Sequence, residues 1–172
     1  MDLKTKIPTG SWTLYYHSPT ENRWTPDSYT KVCTVETFEQ FFAAMNALST
    51  VSVEFGMLFW MRGSITPLYE NRENIKGGSY SVRVGRARAV HYYTMYILGA
   101  MIGGVVADSA DNIVNGVSIT PKKVSDKNQC YNVIRVWNRD CSRFNKPAQL
   151  VKLDGVHVSS EILYTPHVVR NL

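Results

Sequence analysis

The chain has 172 residues, enough for one domain, and its 44% hydrophobic against 19% charged residues is a globular balance, neither disordered nor membrane-like. A net charge of +5 favours a polyanionic partner such as RNA or an acidic surface, and it serves solubility equally well. Three cysteines (Cys33, Cys130, Cys141), odd in number and without C-x-x-C spacing, fit a reducing, intracellular setting better than a disulfide framework, with the cytoplasm expected and the nucleus open as a further location.

In chain order, the first residues lack the apolar centre of a signal peptide. Residues 12–17 (WTLYYH) and 29–35 (YTKVCTV) are rich in β-formers and flank a turn-rich stretch, 18–27. Thr37 opens a helix, with Gln40 three residues on as in a capping box and Phe38, Phe41, Phe42, Met45 and Leu48 at helical spacing. Residues 55–62 read as a buried strand. Residues 63–78 form a loop long enough to carry function, and the Gly77-Gly78 pair near its end reads as a turn.

A strand over 80–84 precedes a second helix over 86–103, stopped by Gly103-Gly104. The apolar run 97–107 within it is too short to span a bilayer. Strands over 113–120 and 131–137 are joined by a lysine-rich connection, 121–129. A short helix near 147–153 and a last strand over 157–164 complete the chain. Short connections favour an α+β fold, an antiparallel sheet backed by helices, in a single domain over residues 1–172.

No nucleophile elbow, zinc-binding H-E-x-x-H or phosphate loop is present, which argues against an enzyme. The four histidines (His17, His91, His157, His167) are scattered and read as surface or core side chains, so no metal is expected. More informative are Trp24, in the turn after the first strand, and Tyr69-Glu70, in the long loop. Large aromatics in polar loops are poorly placed for a core and well placed for a ligand.

These pieces carry a resemblance. Trp12-Thr-Leu-Tyr-Tyr16, Trp24, Thr37-Phe-Glu-Gln-Phe-Phe42, Gly63-Ser-Ile-Thr-Pro-Leu-Tyr-Glu70, Lys76-Gly-Gly-Ser-Tyr80, Met101-Ile-Gly103 and Val133-Ile-Arg-Val-Trp-Asn-Arg139 resemble, in order, the translation initiation factor four-E family. The likeness spans about residues 8–140, after a short N-terminal arm, and is less clear over 141–172. It implies a curved antiparallel sheet with about three helices on its convex back, and the 7-methylguanosine cap of messenger RNA (or 7-methyl-GTP) held in the concave face without a cofactor.

The resemblance assigns roles. Trp24 and Tyr69 sandwich the methylated base, whose positive charge strengthens stacking. Glu70 accepts hydrogen bonds from guanine N1–H and the 2-amino group together. Trp137 meets the N7-methyl. Lys122 takes a phosphate position, while Val133 stands where the family has a second lysine. Arg135, two residues from Trp137 and so on the same strand face, is expected to substitute for that lysine. Lys123 and Lys127 either add charge to the phosphate side or are solvated, and Ser79 stands where a basic residue is common in the family.

On the back of the sheet, Phe38, Phe42, Met95, Tyr96 and Gly99 fall where the family receives a partner helix, as an altered apolar groove; a stripe of this kind is otherwise core. The partners implied are capped messenger RNA and a scaffold of initiation factor four-G type or another helix-bearing protein, with no membrane and a monomeric chain. The resemblance thus implies recruitment of capped messenger RNA to translation initiation through that scaffold, with two rival functions open: a cap-binding paralogue that represses or stores messages, and a generic single-stranded RNA binder.

Overall fold

The computed structural model describes residues 2–124, 129–152 and 162–167. Seven strands form one antiparallel sheet: β1 (Trp12–His17), β2 (Tyr29–Val35), β3 (Met57–Arg62), β4 (Gly78–Gly85), β5 (Val114–Val124), β6 (Gln129–Asn138) and β7 (Leu163–Pro166). They lie in the order β2-β1-β3-β5-β6-β4-β7. Helices α1 (Phe38–Ala47), α2 (Thr50–Phe55) and α3 (Ala89–Ile102) cover the convex face of the curved sheet, completing the α+β domain. None of them is long and apolar enough to cross a membrane.

Local chemistry explains the element ends. The Thr37 hydroxyl accepts from the Gln40 N–H at 3.3 Å, and the Gln40 side-chain oxygen accepts from the Glu36 and Thr37 N–H groups at 2.7 and 3.3 Å. That reciprocal cap satisfies donors the first turn of α1 leaves orphaned. Gly103 closes α3 in the left-handed region (φ +81°), where a side chain would be strained.

Several boundaries differ from the sequence reading. Ser49 caps a six-residue α2, so Phe55 ends a helix and β3 starts only at Met57. Residues 86–88 form a 3-10 turn ahead of α3, and near 147 only Pro147–Gln149 turn helically. The last described strand is Leu163–Pro166; the expected strand start at His157 lies outside the described residues, as does Lys127. The hairpin of β5 and β6 runs further than expected, to Val124 and from Gln129, through what read as a polar connection. Pro121 is tolerated there because it lies past Ile119, the last β5 residue paired with β3, where the strand has a partner on one side only.

Strand alternation separates two apolar layers. Trp12, Leu14, Leu58, Trp60, Tyr80, Val82, Val117, Ile119, Ile134 and Val136 pack with the helices in the main core. The opposite face carries a smaller cluster of Tyr15, Phe59, Met61 and Trp137, joined by Tyr29, Met57 and Ile65. This second cluster floors the concave side.

The expected partner groove changes most. Phe38, Tyr96 and Gly99 are buried in the core and are not available to a docking helix. Gly99 faces Val105, and a Cβ there would come within 3.2 Å of it. Burial first, and neighbouring Tyr92 second, push the Tyr96 phenol up to about 12, so it stays neutral inside the core. Only Phe42 and Met95 of the five are partly exposed.

Candidate functional site

A cavity of about 1090 Å³ opens on the concave face. This is slightly above the range of volumes typical of small-ligand sites. It is bounded by the 63–77 loop, by the turn after β1 and by β3 to β7, and its lining includes Trp24, Tyr69, Glu70, Trp137, Lys122 and Arg135.

The long loop is held by a buried asparagine. Asn74 is fully buried, and its amide donates to the Thr66 and Leu68 carbonyls at 3.2 and 2.9 Å. Its side-chain oxygen accepts from Asn115 at 3.0 Å. Arg139 then donates to the Asn115 oxygen at 3.2 and 3.1 Å and pairs with Glu73 at 3.2 Å. From the other side, the Tyr29 hydroxyl donates to the Pro67 carbonyl at 2.8 Å. Burial, then the nearby Tyr69 and Glu70, raise the Tyr29 pKa, so this donor keeps its proton. The network fixes the segment from which Tyr69 and Glu70 project.

Gly77 and Gly78 let this segment enter the sheet. A Cβ on Gly77 would collide with the Asn138 carbonyl, and one on Gly78 with the Tyr164 hydroxyl. The pair permits close backbone approach at the start of β4, where the sequence reading had a turn.

Each loop aromatic is backed by a histidine, a feature the sequence reading missed. The Trp24 indole stacks on His17 with centroids 4.1 Å apart and planes at 3°. His17 is fully buried, and its ring nitrogens lie 2.9 and 2.8 Å from the Ser18 and Arg23 carbonyls, which tie the turn to β1. Tyr69 stacks on His167 at 4.5 Å and 16°. One face of each ring is thus covered, yet Trp24 and Tyr69 remain 51% and 39% exposed. Each keeps a face for a planar ligand.

Trp137 forms the floor. It is 3% exposed, donates from Nε1 to Ser118 Oγ at 3.0 Å and meets Phe59 edge-on at 6.2 Å. It is a packed core residue of the concave cluster and lines the cavity as well.

Among the described residues, one acid and three basic side chains line the cavity. Glu70 is the one acid among the described residues that line the cavity, and no described cation pairs with it. Arg83, Lys122 and Arg135 line the cavity from β4, β5 and β6. Arg135 faces the same side as Trp137 and is oriented by a 3.2 Å hydrogen bond to Thr120 Oγ1. Lys123 corrects an expectation. Ser118, Thr120 and Lys122 line the cavity, so by alternation Lys123 falls on the opposite face with Val117 and Ile119. Val133, where the family has a lysine, lines the cavity without a charge, and Arg83 on neighbouring β4 contributes one that the sequence reading did not identify.

His167 sets a pH dependence. The Asn74 carbonyl 2.8 Å from Nδ1 can only accept, so Nδ1 carries the proton and Nε2 accepts from Ser79 Oγ at 3.0 Å. Burial lowers the imidazole pKa below its ordinary 6.5, against the opposing effects of the Asn74 bond and Glu70. The unfolded chain therefore takes up this proton before the folded one. Stability from neutral His167 is complete above about 6.5 and declines as pH falls from there toward the folded value. Urea unfolding at about pH 7.5 and about pH 5.5 should show a larger loss for the native chain than for His167→Gln. Equal losses would mean that His167 contributes nothing to the slope.

Comparison with known proteins bears on the family and the fold. A family model described as Eukaryotic initiation factor 4E matches residues 9–167. A eukaryotic translation initiation factor 4E of Candida glabrata is 25% identical over 152 residues, covering 83% of this chain and 68% of that protein. Among solved structures, a complex of C. elegans eIF4E-3 with the 4E-binding protein Mextli and a cap analog superposes with a TM-score of 0.66 at 20% identity, covering 81% of this chain and 76% of that one. Ascaris suum eIF4E-3 with m7G cap gives 0.63 at 23% identity, covering 80% and 74%. A Schistosome eIF4E complexed with m7GpppG and 4E-BP gives 0.64 at 18% identity, covering 81% and 74%.

Proposed function

The chain belongs to the eukaryotic initiation factor 4E family, and on that footing we propose that its concave cavity binds the 7-methylguanosine cap of messenger RNA. Members of this family are cap-binding factors and not enzymes. The observation that supports the assignment is a pair of loop aromatics, each with one face backed by histidine and one left over, in a cavity lined also by a lone described acid on the long loop and by cations on the sheet. A methylated guanine is flat, carries positive charge on its ring system, offers two adjacent N–H donors on one edge and trails a triphosphate. Each property has a counterpart in the lining.

In this reading Trp24 and Tyr69 stack on the base, at roughly 1–3 kcal/mol each. The Glu70 carboxylate accepts from N1–H and the 2-amino group, Trp137 packs against the methyl, and Lys122 and Arg135 take the phosphates. Titrating the intrinsic tryptophan fluorescence with 7-methyl-GTP and with GTP tests this. Quenching should saturate with the methylated nucleotide at concentrations far below those GTP requires. Indistinguishable curves would support a generic RNA-binding surface instead.

Arg135→Ala should weaken 7-methyl-GTP binding and reduce the slope of log affinity against log salt by about one, the loss of a single phosphate contact. An unchanged slope would remove Arg135 from the phosphate side.

The C. elegans and Schistosome relatives are complexes with 4E-binding proteins, and we propose that the helical back of this chain likewise receives a helix-bearing partner. Phe42 and Met95 are the candidates left accessible there. Phe42→Ala should reduce co-purification of that partner several-fold while 7-methyl-GTP binding persists, and loss of both would mark Phe42 as a folding residue. Recovery of an initiation scaffold would assign the chain to translation initiation, and recovery of repressors alone would assign it to silencing.

A further inference from the structure

The cavity continues well past the residues a mononucleotide cap needs. Cross-strand pairing over β5, β6 and β4 sets side chains in successive rungs: Gly116, Trp137 and Ser79; then Ser118, Arg135 and Ser81; then Thr120, Val133 and Arg83; then Lys122, Tyr131 and Gly85. Residues two apart on a strand are separated by about 7 Å, so the Tyr131 rung lies about 20 Å along β6 from Trp137. Trp137, Arg135, Arg83, Lys122 and Tyr131 all line the same cavity.

At the far end, the Arg83 guanidinium lies over the Tyr131 ring, 3.7 Å from its centroid. The two side chains meet face to ring as one platform, with Arg83 exposed and Tyr131 half-buried. A guanidinium plane and a phenol face are both surfaces on which nucleobases stack, and such stacking tolerates any base. Lys122, paired with Tyr131 across the hairpin, adds a charge beside the platform.

Resting on the cap assignment above, we propose that the Arg83–Tyr131 platform is a second stacking subsite, which holds the base of the first nucleotide after the triphosphate. A base anchored at Trp137 leaves a span to Tyr131 that a ribose, three phosphates and a second ribose bridge. The cations between, Arg135 and then Arg83 with Lys122, lie along that route. The recognised ligand is then a capped dinucleotide, with the second base held without selection for its identity.

The test compares 7-methyl-GTP with the capped dinucleotide m7GpppA by calorimetry on the intact chain. The native protein should bind the dinucleotide about tenfold more tightly, the scale of one stacked base. Tyr131→Ala should bring the ratio of the two affinities close to one, and Tyr131→Phe, which keeps the ring, should restore it. Arg83→Gln serves as a second variant should Tyr131→Ala fail to fold, and it should likewise lower the ratio. Equal affinities in the native protein, with 7-methyl-GTP still bound tightly, would overturn the second subsite and leave the cap assignment standing. A full tenfold ratio retained by Tyr131→Ala would also overturn it. Failure of the native chain to bind either nucleotide would sink the cap assignment itself.

Discussion

Trp24→Ala is expected to weaken 7-methyl-GTP binding by roughly 10- to 100-fold, the loss of one aromatic stack on a charged base. The indole is 51% exposed and makes its closest ring contact with His17. Its removal takes little from the core, so the thermal midpoint should move by no more than a few degrees. Calorimetry is the appropriate readout, because the substitution also removes a fluorophore. Unchanged affinity would mean that the base does not use this wall. A large fall in melting temperature would mean that the Trp24–His17 stack is structural, and the loss of binding would then carry no information about stacking.

The second large effect concerns the edge of the base. Glu70→Gln should weaken 7-methyl-GTP by roughly 10- to 100-fold, since a carboxylate accepting two parallel hydrogen bonds gives way to an amide that turns a donor toward a donor. 7-Methyl-ITP, which lacks the 2-amino group, separates recognition from general electrostatics. The native chain should prefer 7-methyl-GTP over 7-methyl-ITP by about tenfold, the worth of one charge-assisted hydrogen bond, and Glu70→Ala should bind the two alike. A preference that survives in Glu70→Ala would move guanine recognition to another group.

Parts of the fold and of the cavity lining were legible in the chain because their signals are local. The Thr37 and Gln40 cap sits within four residues, and the structure shows the reciprocal bonds its spacing implies. Arg135 and Trp137 share a face through the two-residue period of a strand. The same parity places Lys123 opposite Lys122, once both are recognised as strand residues; a lysine-rich stretch interrupted by Pro121 read as a connection and concealed it.

Other features depended on contacts that no local pattern encodes. His167 reaches the site from just past the last described strand to bond Asn74 and Ser79, 93 and 88 residues away in sequence. His17 is only seven residues from Trp24, but their stacking requires the turn at 18–28 to fold back over β1. Arg83 and Tyr131 meet diagonally across β4 and β6, a pairing that only the sheet order reveals. The back surface was misread for a related reason. Helix α3 is apolar nearly all round and buries Tyr92, Tyr93, Tyr96, Ile97, Gly99, Ala100 and Met101, so periodicity does not show which side faces solvent. Phe38 and Tyr96 went to the core, where the resemblance had suggested a groove.

The most direct test of the cap assignment is a crystal structure of the chain with 7-methyl-GTP. The account predicts the guanine ring between Trp24 and Tyr69, each still backed by its histidine, with both Glu70 carboxylate oxygens on the N1–H and 2-amino edge and the phosphates running toward Arg135. A nucleotide bound elsewhere on the surface, or seated in the cavity with Glu70 turned from the base, would contradict it.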